Sequence, residues 1–328
     1  MTAKEKILYA LETHSGEYLS GEELAENLGI TRAAVWKAIR SLGAEGYRID
    51  AVRNRGYRLV EDGDRISEAG IRAFLREEDC IVRVLERTDS TNLEARRLLL
   101  EREVSRGLIA ANEQSGGRGR YGNSFYSPAD TGVYMTLILR VGRRMEEFLT
   151  VTAATAVALA RVIERVSGHR PGIKWMNDIW IGDKKAAGIL TEAISSFESG
   201  MLEYLIIGIG LNVTTTEFPE NLSGSAASLG GISVTRNELI AQIAEEVFRL
   251  AEHPADRKIL DEYRRRSIIL GKQITWERDG REYAGRACRI TEKGCLEVEY
   301  NRRKEILNAG AVHIRPQKND GTQGETIE

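Results

Sequence analysis

Hydrophobic residues at the start of the chain recur with the 3.6-residue period of a helix. A first helix is predicted over residues 3–13, with one apolar face made of Ile7, Leu8 and Leu11. Ser20 and Thr31 are suited to cap two further helices, whose inward faces carry Leu24, Leu28, Val35, Ile39 and Leu42. Residues 47–60 then alternate between apolar and polar around an Arg-Asn-Arg-Gly turn, as in a β-hairpin. Two helices joined by a short turn and followed by a hairpin predict a winged helix-turn-helix.

The pattern changes after an acidic, glycine-containing segment at residues 61–66, which is predicted to be a linker. Ser67 is suited to cap a short helix, and from residue 81 onward strand-like and helix-like runs are interspersed. Strands are predicted at 81–86, 107–114, 133–140, 173–175, 178–182, 184–193 and 202–213, and helices at 91–103, 147–167 and 236–268. Because strands and helices do not alternate regularly, the pattern favours a mixed sheet over a doubly wound parallel one.

Four short strands separated by turns follow Leu270 and Gly271 and predict a small all-β barrel: residues 273–277, 281–290, 295–300 and 304–310. The fold class is therefore predicted to be α+β and multidomain. The predicted domains are a winged helix at 1–62, a mixed-sheet domain at 67–268 and the barrel at 269–317, with a polar, disordered tail at 318–328.

The composition of the chain mainly excludes certain kinds of site and cellular setting. The 328 residues are 42% hydrophobic and 29% charged with a formal net charge of −2, so nucleic-acid binding would require a local basic patch. The three cysteines (Cys80, Cys288 and Cys295) form no CxxC pair and the four histidines are scattered, which argues against a disulfide framework and a zinc site. Neither a signal peptide nor a membrane-length apolar run is present, so a reducing, cytoplasmic setting without a membrane partner is expected.

Charge is polarised within the N-terminal module. Residues 1–30 contain two basic and six acidic side chains, whereas residues 31–60 contain seven basic and two acidic ones. The basic side chains fall on the third helix and the hairpin, the elements that a winged helix presents to DNA. The predicted DNA contacts are Arg32, Trp36, Lys37, Arg40, Arg53 and Arg55. Trp36 could instead pack beneath the wing, which is the interpretation favoured here, and the basic face could serve dimerisation or regulation without DNA.

A glycine-rich loop with two arginines lies between two of the predicted strands. Residues 114–122 read Gln-Ser-Gly-Gly-Arg-Gly-Arg-Tyr-Gly. Glycine lets the backbone present N–H groups to an anion and arginine adds bidentate contacts, so the loop is suited to close over a phosphate-bearing ligand. It is not a Walker loop, and Gly-Ile-Gly-Leu-Asn at 208–212 does not complete a dinucleotide-binding fingerprint. A flexible surface loop is the alternative interpretation.

Several further motifs accompany this loop, in order along the chain. They are Asp89-Ser90-Thr91-Asn92, Ser127-Pro128, Lys174-Trp175-Met176-Asn177-Asp178, Lys185-Ala186-Ala187-Gly188-Ile189-Leu190 and Gly208-Ile209-Gly210-Leu211-Asn212. The ordered set resembles the biotin protein ligases, and with the winged helix in front it resembles the bifunctional type that also represses the biotin operon. The resemblance spans residues 3–316. It implies a catalytic domain related to class II synthetases and a C-terminal barrel similar to an SH3 domain.

The activity that this resemblance implies is ATP-dependent conversion of biotin to biotinyl-5′-AMP, followed by transfer to a lysine of a biotin carboxyl carrier protein of the acetyl-CoA carboxylase type. ATP and biotin are the implied substrates and Mg²⁺ the implied metal. The implied partners are the carrier protein, the operator DNA of biotin genes and a second copy of the chain in a homodimer.

The resemblance also implies roles for individual residues. Biotin contacts are expected from Ser90, Thr91, Asn92, Gln114, Gly117, Arg118, Lys185 and Gly188. Contacts to ATP or the adenylate are expected from Arg118, Gly119, Arg120, Phe125, Asn177 and Asn212. The implied catalytic set is Lys185, Asp178, Arg118 and Arg120, with Asp178 also the expected Mg²⁺ ligand. Hydroxyl groups suit the task because the ureido ring of biotin offers one carbonyl and two N–H groups, although Ser90 could also serve as a helix cap.

Two positions depart from the pattern of the family. Met176 replaces the usual proline of the Lys-Trp-Pro-Asn-Asp segment, and because it keeps an apolar side chain it is expected to change little. Tyr121 stands where a further arginine is common, which leaves fewer charges to hold the adenylate.

Three alternatives stay open at this point. A lipoate ligase has a similar architecture, but its family carries a histidine motif after the glycine loop, and no histidine occurs between His14 and His169. A biotin sensor without catalysis is disfavoured because Lys185 and Asp178 are both present. A ligase whose winged helix serves only structure or dimerisation is disfavoured by the basic segment at 31–60.

Overall fold

The computed structural model describes residues 2–14, 16–44, 46–60, 65–143, 148–195, 201–278 and 280–314. Most of the predicted linker at 61–66 and all of the predicted tail at 318–328 lie outside the described residues. None of the helices within these ranges has the length and apolar character needed to cross a membrane.

The N-terminal unit is the predicted winged helix-turn-helix. Its helices are α1 (Ala3–Thr13), α2 (Gly21–Leu28) and α3 (Arg32–Ala44), and its hairpin pairs β1 (Ile49–Val52) with β2 (Gly56–Leu59). The hydroxyl groups of Thr2, Ser20 and Thr31 each accept a hydrogen bond from a backbone N–H three residues further on, which caps the three helices. The predicted apolar faces meet in one small core.

A short helix, α4 (Glu68–Phe74), joins this unit to the rest of the chain. Its Ala69 belongs to the core of the winged helix, while Ile71 belongs to the central core. The side chain of Asn237 ties the junction together. It accepts a hydrogen bond from the backbone N–H of Ser67 (3.0 Å) and donates to the buried carboxylate of Glu12 on α1 (3.3 Å).

Seven strands form the predicted mixed sheet: β3 (Ile81–Thr88), β4 (Arg106–Gln114), β5 (Gly132–Arg143), β6 (Gly172–Lys174), β7 (Asp178–Ile181), β8 (Lys184–Ser195) and β9 (Leu202–Asn212). Their order across the sheet is β3–β4–β5–β9–β8–β7–β6. β3 and β4 are parallel, and the other neighbours are antiparallel.

The two faces of this sheet are covered to different extents. Against one face pack α6 (Phe148–Ser167), α8 (Arg236–Ala251) and α9 (Arg257–Arg266), and together they bury a large apolar core. The other face is covered only in part, by α5 (Thr91–Glu101), which packs on Tyr204 and Ile206 of β9. Successive side chains of a strand point to opposite faces, so Gly208 and Gly210 lie on this second face, where the cover ends.

The single helical run predicted at 236–268 is in fact two helices, α8 and α9, so this prediction was wrong in detail. The residues between them include Pro254, which lacks an N–H and disfavours helical backbone at the residue before it. Asp256 then caps α9 by accepting a hydrogen bond from the N–H of Lys258 at 2.8 Å. A one-turn helix, α7 (Glu220–Ser223), lies in the connection between β9 and α8.

The C-terminal unit is a five-stranded antiparallel sheet of β10 (Gln273–Arg278), β11 (Arg281–Ile290), β12 (Leu296–Tyr300), β13 (Arg303–Leu307) and β14 (Val312–Ile314). Its strand order is β13–β12–β11–β10–β14, and β14 was not predicted. Its apolar residues are continuous with the central core. The indole N–H of Trp175 donates to the carbonyl of Gly294 (2.9 Å), so this sheet is docked against the turn that precedes β7.

Candidate functional site

Three glycines form the floor of a pocket on the partly covered face of the central sheet: Gly188 on β8 and Gly208 and Gly210 on β9. A Cβ at Gly208 would collide with the side chain of Asn92, and one at Gly210 with the ring of Phe125. The walls come from the start of α5, the glycine–arginine loop, the turn before β7 and residues 310–313. Segments that are far apart in the sequence therefore meet in one cavity.

One end of the pocket, the neutral end, is built from Ser90, Thr91, Asn92 and Gln114. The side-chain oxygen of Gln114 accepts hydrogen bonds from the N–H and hydroxyl of Thr91 (2.9 and 3.2 Å). Asn92 accepts a hydrogen bond from the hydroxyl of Thr136 (2.7 Å) and donates to the carboxylate of Glu192 (2.7 Å). These bonds fix the side chains before any ligand arrives.

Ser90 differs from its neighbours at this end. Its side chain is only 2% exposed and lines the pocket, yet its hydroxyl makes no capping bond to α5. The backbone N–H of Ser90 donates to the carboxylate of Asp89 (2.7 Å), and the hydrogen-bonded guanidinium of Arg97 holds the pKa of Asp89 well below its usual range. Among the described residues the Ser90 hydroxyl has no partner, so it is available to a ligand rather than used as a cap.

The other end, the cationic end, gathers Arg118, Arg120, Lys174 and Lys185 around Asp178. The ammonium of Lys185 lies 2.8 Å from the Asp178 carboxylate, because β7 and β8 pair side by side. Arg120 donates to the side-chain oxygen of Asn177 at 3.4 Å. Burial lowers the pKa of Lys174, Asp178 opposes this effect, and Lys185 adds to it. Lys174 was given no role from the sequence, although it stands in the same motif as Asp178.

The turn that carries Asn177 and Asp178 is held from two sides. The hydroxyl of Tyr263 on α9 donates to the carbonyl of Met176 (2.9 Å), and burial raises the pKa of this tyrosine. The side-chain amide of Asn177 donates to the carbonyl of Ile189 on β8 (2.8 Å). Met176 is itself buried, as an apolar residue at this position should be.

The glycine–arginine loop is folded back on itself. The N–H of Gly119 donates to the carbonyl of Asn123 (2.7 Å), and the N–H of Phe125 donates to the carbonyl of Gly117 (2.9 Å). Arg118, Gly119, Arg120 and Phe125 line the pocket. Gly117 does not; it lies behind the wall, where a Cβ would collide with the backbone of Phe125.

Asn212 likewise lies just outside the pocket wall, at the end of β9. Its amide nitrogen donates to the carbonyl of Ala227 (3.0 Å), and its buried side-chain oxygen has no partner among the described residues. A buried polar atom without a partner is costly, so this oxygen is an acceptor that the protein itself leaves unsatisfied beside the pocket.

Metal binding would depend on Asp178, the acidic residue that lines the pocket in the described part of the chain. No group of three or more His, Cys, Asp or Glu side chains there could hold a metal ion by itself. A single carboxylate fits Mg²⁺, which commonly binds through one or two carboxylates together with substrate phosphates and water.

A second candidate surface lies on the winged helix. All six predicted DNA contacts are exposed there: Arg32, Trp36, Lys37, Arg40, Arg53 and Arg55. Trp36 does not pack beneath the wing, so that prediction was wrong; it is 52% exposed, with the Arg40 guanidinium 4.7 Å from its ring. The inward positions of α3 are already filled by Val35, Ile39 and Leu42.

Tyr18, which lies outside the predicted helices, was not singled out by any pattern in the sequence. The guanidinium groups of Arg55 and Arg58 lie over its ring at 4.5 and 4.6 Å, which fixes the basic side of the wing.

Comparisons with known proteins agree with this arrangement. Residues 4–58 match the model of an HTH domain, and residues 84–212 match that of the biotin/lipoate A/B protein ligase family. The bifunctional ligase/repressor BirA of Bacillus subtilis (strain 168) is 36% identical over 232 residues, covering 70% of this chain and 71% of the relative. BirA of Escherichia coli (strain K12) is 28% identical over 310 residues, covering 92% and 94%.

Solved structures show the same fold. The biotin protein ligase from Aquifex aeolicus in complex with biotin and ATP superposes with a TM-score of 0.59 at 22% identity, covering 72% of this chain and 99% of that one. A mixed sheet with a glycine-floored pocket, preceded by a winged helix, defines a biotin/lipoate-type ligase with a DNA-binding domain. The chain belongs to the biotin protein ligase family, and within it to the bifunctional ligase/repressors. The ligase and repressor predicted from the sequence are thereby confirmed.

Proposed function

We propose that the chain activates biotin with ATP, transfers the biotinyl group to a lysine of a biotin carboxyl carrier protein of the acetyl-CoA carboxylase type, and represses biotin genes by binding their operator DNA. The observation that carries this proposal is the two-ended pocket, in which hydroxyl and amide groups share one cavity with Arg118, Arg120 and Lys185. Biotin and ATP present matching chemical groups in the same order as the two ends of the pocket: first the neutral bicyclic ring of biotin, then its carboxylate, then the phosphates of the nucleotide.

Biotin is assigned to the neutral end. The hydroxyl of Ser90 and the polar groups of Thr91, Asn92 and Gln114 surround the place for the ureido ring. Gly188 leaves room on the floor for the rest of the molecule. Because Thr91, Asn92 and Gln114 are already bonded to protein groups, they act mainly by fixing the shape of this end, and Ser90 supplies an unsatisfied hydroxyl.

In the first step, a biotin carboxylate oxygen attacks the α-phosphorus of ATP, the bond from this phosphorus to the bridging oxygen breaks, and pyrophosphate leaves. Arg118, Arg120 and Lys185 stabilise the negative charge that develops on the phosphoryl oxygens. The ion pair with Asp178 holds the Lys185 ammonium at the pocket.

The nucleotide is assigned to the cationic end and the adjoining wall. Phe125, whose ring packs closely on Gly210, is proposed to stack with the adenine. Gly119 and Asn177 line the same region, and Asn212 has an acceptor oxygen behind it. Asp178 would hold Mg²⁺, which would neutralise part of the phosphate charge.

In the second step, the neutral amine of a carrier lysine attacks the acyl carbon of biotinyl-5′-AMP. The bond from this carbon to the phosphate oxygen breaks, AMP leaves with the bonding pair, and the new amide nitrogen releases a proton to solvent. Closure of the glycine–arginine loop shields the anhydride from water until the carrier arrives.

The ligase is tested with the purified protein, Mg²⁺, α-labelled ATP and biotin, without carrier. Labelled biotinyl-5′-AMP bound to the protein is the expected result, and lipoate in place of biotin should give none. Binding of biotin without any adenylate would instead make the chain a sensor, and an adenylate formed with lipoate alone would make it a lipoate ligase.

The repressor function is assigned to the exposed basic face of α3 and the wing. Gel-shift titrations with biotin-operon promoter DNA should show binding that weakens steeply with salt, since basic side chains displace counterions from phosphates. Arg40→Ala should weaken it, because Arg40 lies on the exposed face beside Trp36. Binding by Arg40→Ala that matches the parent would assign the basic face to another role.

We further propose that adenylate binding favours a homodimer formed through the central sheet, so that two winged helices face a palindromic operator. β3 lies at the edge of that sheet, where a strand of a second copy could pair with it. Sedimentation with and without biotin plus ATP tests it: an unchanged monomer under both conditions, or DNA affinity that does not respond to biotin plus ATP, contradicts the coupling.

The remaining assignments follow from the same resemblance. The domains are proposed to span 1–62, 67–268 and 269–317, the central one related to class II synthetases. The short antiparallel strands of the C-terminal sheet, packed around Ile274 and Val298, support an SH3-like barrel. A cytoplasmic setting is proposed because ATP is the substrate and the three cysteines are unpaired.

A further inference from the structure

Tyr121 joins the glycine–arginine loop to the C-terminal sheet. Its phenol oxygen accepts a hydrogen bond from the backbone N–H of Gly310 at 2.6 Å. Gly310 lies two residues before the start of β14 and, together with Ala311, Val312 and His313, lines the pocket. A single side chain of the loop therefore reaches across the mouth of the pocket to the opposite wall.

The backbone of Tyr121 has an uncommon conformation. Its φ of 56° and ψ of 34° lie in the left-handed region, which a residue with a side chain adopts only when its surroundings impose it. Burial does not impose it, since the side chain is 62% exposed. The backbone turn is closed by the hydrogen bond from the N–H of Asn123 to the carbonyl of Arg120 (3.1 Å), and the contacts with Gly310 and Arg120 fix where the side chain lies.

Arg120 is the second partner of Tyr121. Its guanidinium lies 4.9 Å from the centre of the tyrosine ring and donates to the phenol oxygen at 3.1 Å. The same guanidinium donates to Asn177 on the floor side of the pocket at 3.4 Å. Tyr121 thus connects a loop arginine, the turn before β7 and the C-terminal sheet.

We propose that Tyr121 is a positioning residue that latches the glycine–arginine loop onto the C-terminal sheet and so retains biotinyl-5′-AMP until the carrier arrives. This inference rests on the proposed function. At this position a further arginine would hold the intermediate by charge; Tyr121 holds the loop itself by a hydrogen bond to another domain.

The test compares Tyr121→Phe, which removes only the phenol oxygen, with the parent. Labelled adenylate is formed on the protein, and its release is followed after a chase with unlabelled biotin and ATP; its rate of formation is measured separately. Release from Tyr121→Phe is expected to be about tenfold faster, which corresponds to ~1.4 kcal/mol, whereas formation should slow far less. Tyr9→Phe on α1, a partly exposed tyrosine far from the pocket, is the matched control.

A second readout follows the latch itself. Amide hydrogen exchange at Gly310 should be slow in the parent and faster in Tyr121→Phe, with or without the adenylate. Tyr121→Arg supplies charge without the phenol oxygen. It should restore some retention of the adenylate while Gly310 still exchanges quickly.

The latch is overturned if release and Gly310 exchange are both the same in Tyr121→Phe and the parent. It is also overturned if release accelerates while Gly310 exchange does not, because the phenol would then act through Arg120 alone. If the parent forms no adenylate, the proposed function fails, while Gly310 exchange in the free protein still decides whether Tyr121 holds the loop.

Discussion

At the neutral end of the pocket both polar atoms of the Asn92 side chain are bonded to protein groups, through Thr136 on one side and Glu192 on the other. At the cationic end the side chain of Arg118 has no hydrogen bond or ion pair within the described part of the chain, and the loop that carries it is largely exposed. One end is thus preorganised by hydrogen bonds between its own side chains and the surrounding protein, whereas the other holds more cations than its one carboxylate, Asp178, can balance.

This difference indicates that one end selects the ligand by shape and the other stabilises charge during the reaction. Buried, mutually bonded polar groups specify one shape and select a ligand by fit, but their loss also destabilises the fold. Cations on a loop and a strand edge contribute little to stability and gain their effect when phosphate charge develops between them. Substitutions at the two ends should therefore separate into effects on stability and effects on rate.

The largest effect is expected from Lys185→Ala. Removing one preorganised charge-stabilising group commonly slows a reaction by about 10²–10³-fold, and a rapid-quench measurement of adenylate formation checks this. The melting temperature should hardly change, because the ion pair with Asp178 is partly exposed. Lys184→Ala, the neighbour whose ammonium points to the carbonyl of Ser223, is the control. An equally fast Lys185→Ala enzyme would remove Lys185 from the mechanism.

The next effect is expected from Asn92→Ala at the neutral end. Thr136 and Glu192 would lose a buried partner, which costs about 1–3 kcal/mol in free energy of unfolding. Denaturant unfolding should show this loss, and biotin affinity should fall with it. Asn221→Ala on the exposed α7 should change neither quantity. Unchanged stability in Asn92→Ala would mean that this end is not preorganised, and the comparison of the two ends would fail.

Ser90→Ala sharpens the comparison because it removes the one hydroxyl of the neutral end that has no protein partner among the described residues. Stability should stay the same, while the Kd for biotin should rise by about tenfold, the value of one hydrogen bond in a buried site. Calorimetric titration with biotin measures this. A loss of stability without a change in Kd would assign Ser90 to the fold instead of the ligand.

The same contrast explains what the sequence could predict. The winged helix, the mixed sheet and the order of motifs follow from local periodicity and residue type, and these survive in the structure. The face that carries Gly208 and Gly210 follows from the two-residue period of β9 once α5 is known to cover Tyr204 and Ile206. The roles of individual site residues, by contrast, came from the resemblance of the ordered motifs to the biotin protein ligases and not from periodicity.

Contacts between distant segments were not predictable in this way. Tyr121 meets Gly310 across 189 residues of chain, and Glu12 meets Asn237 across 225. Trp36 is exposed because Val35, Ile39 and Leu42 fill the core on the inner side of α3. The space left in a core depends on how all its side chains pack, so it cannot be inferred from the type of one residue. The helix break near Pro254 was visible in the sequence, but the helical spacing on both sides obscured it.

The smallest effect concerns Lys174, whose pKa is lowered by burial. The folded protein therefore binds fewer protons than the unfolded chain in the window between this lowered pKa and the ordinary lysine value of 10.5, and the free energy of unfolding should rise with pH across it. Phosphate at the cationic end favours the charged form and raises the pKa again, so ATP binding within that pH window should take up a fraction of a proton. Calorimetry in two buffers of different ionisation enthalpy measures this uptake. Lys174→Met should abolish this proton uptake, whereas Lys272→Met, on the exposed surface, should not. Equal proton uptake in both variants would place the titrating group elsewhere and leave Lys174 outside the cationic end.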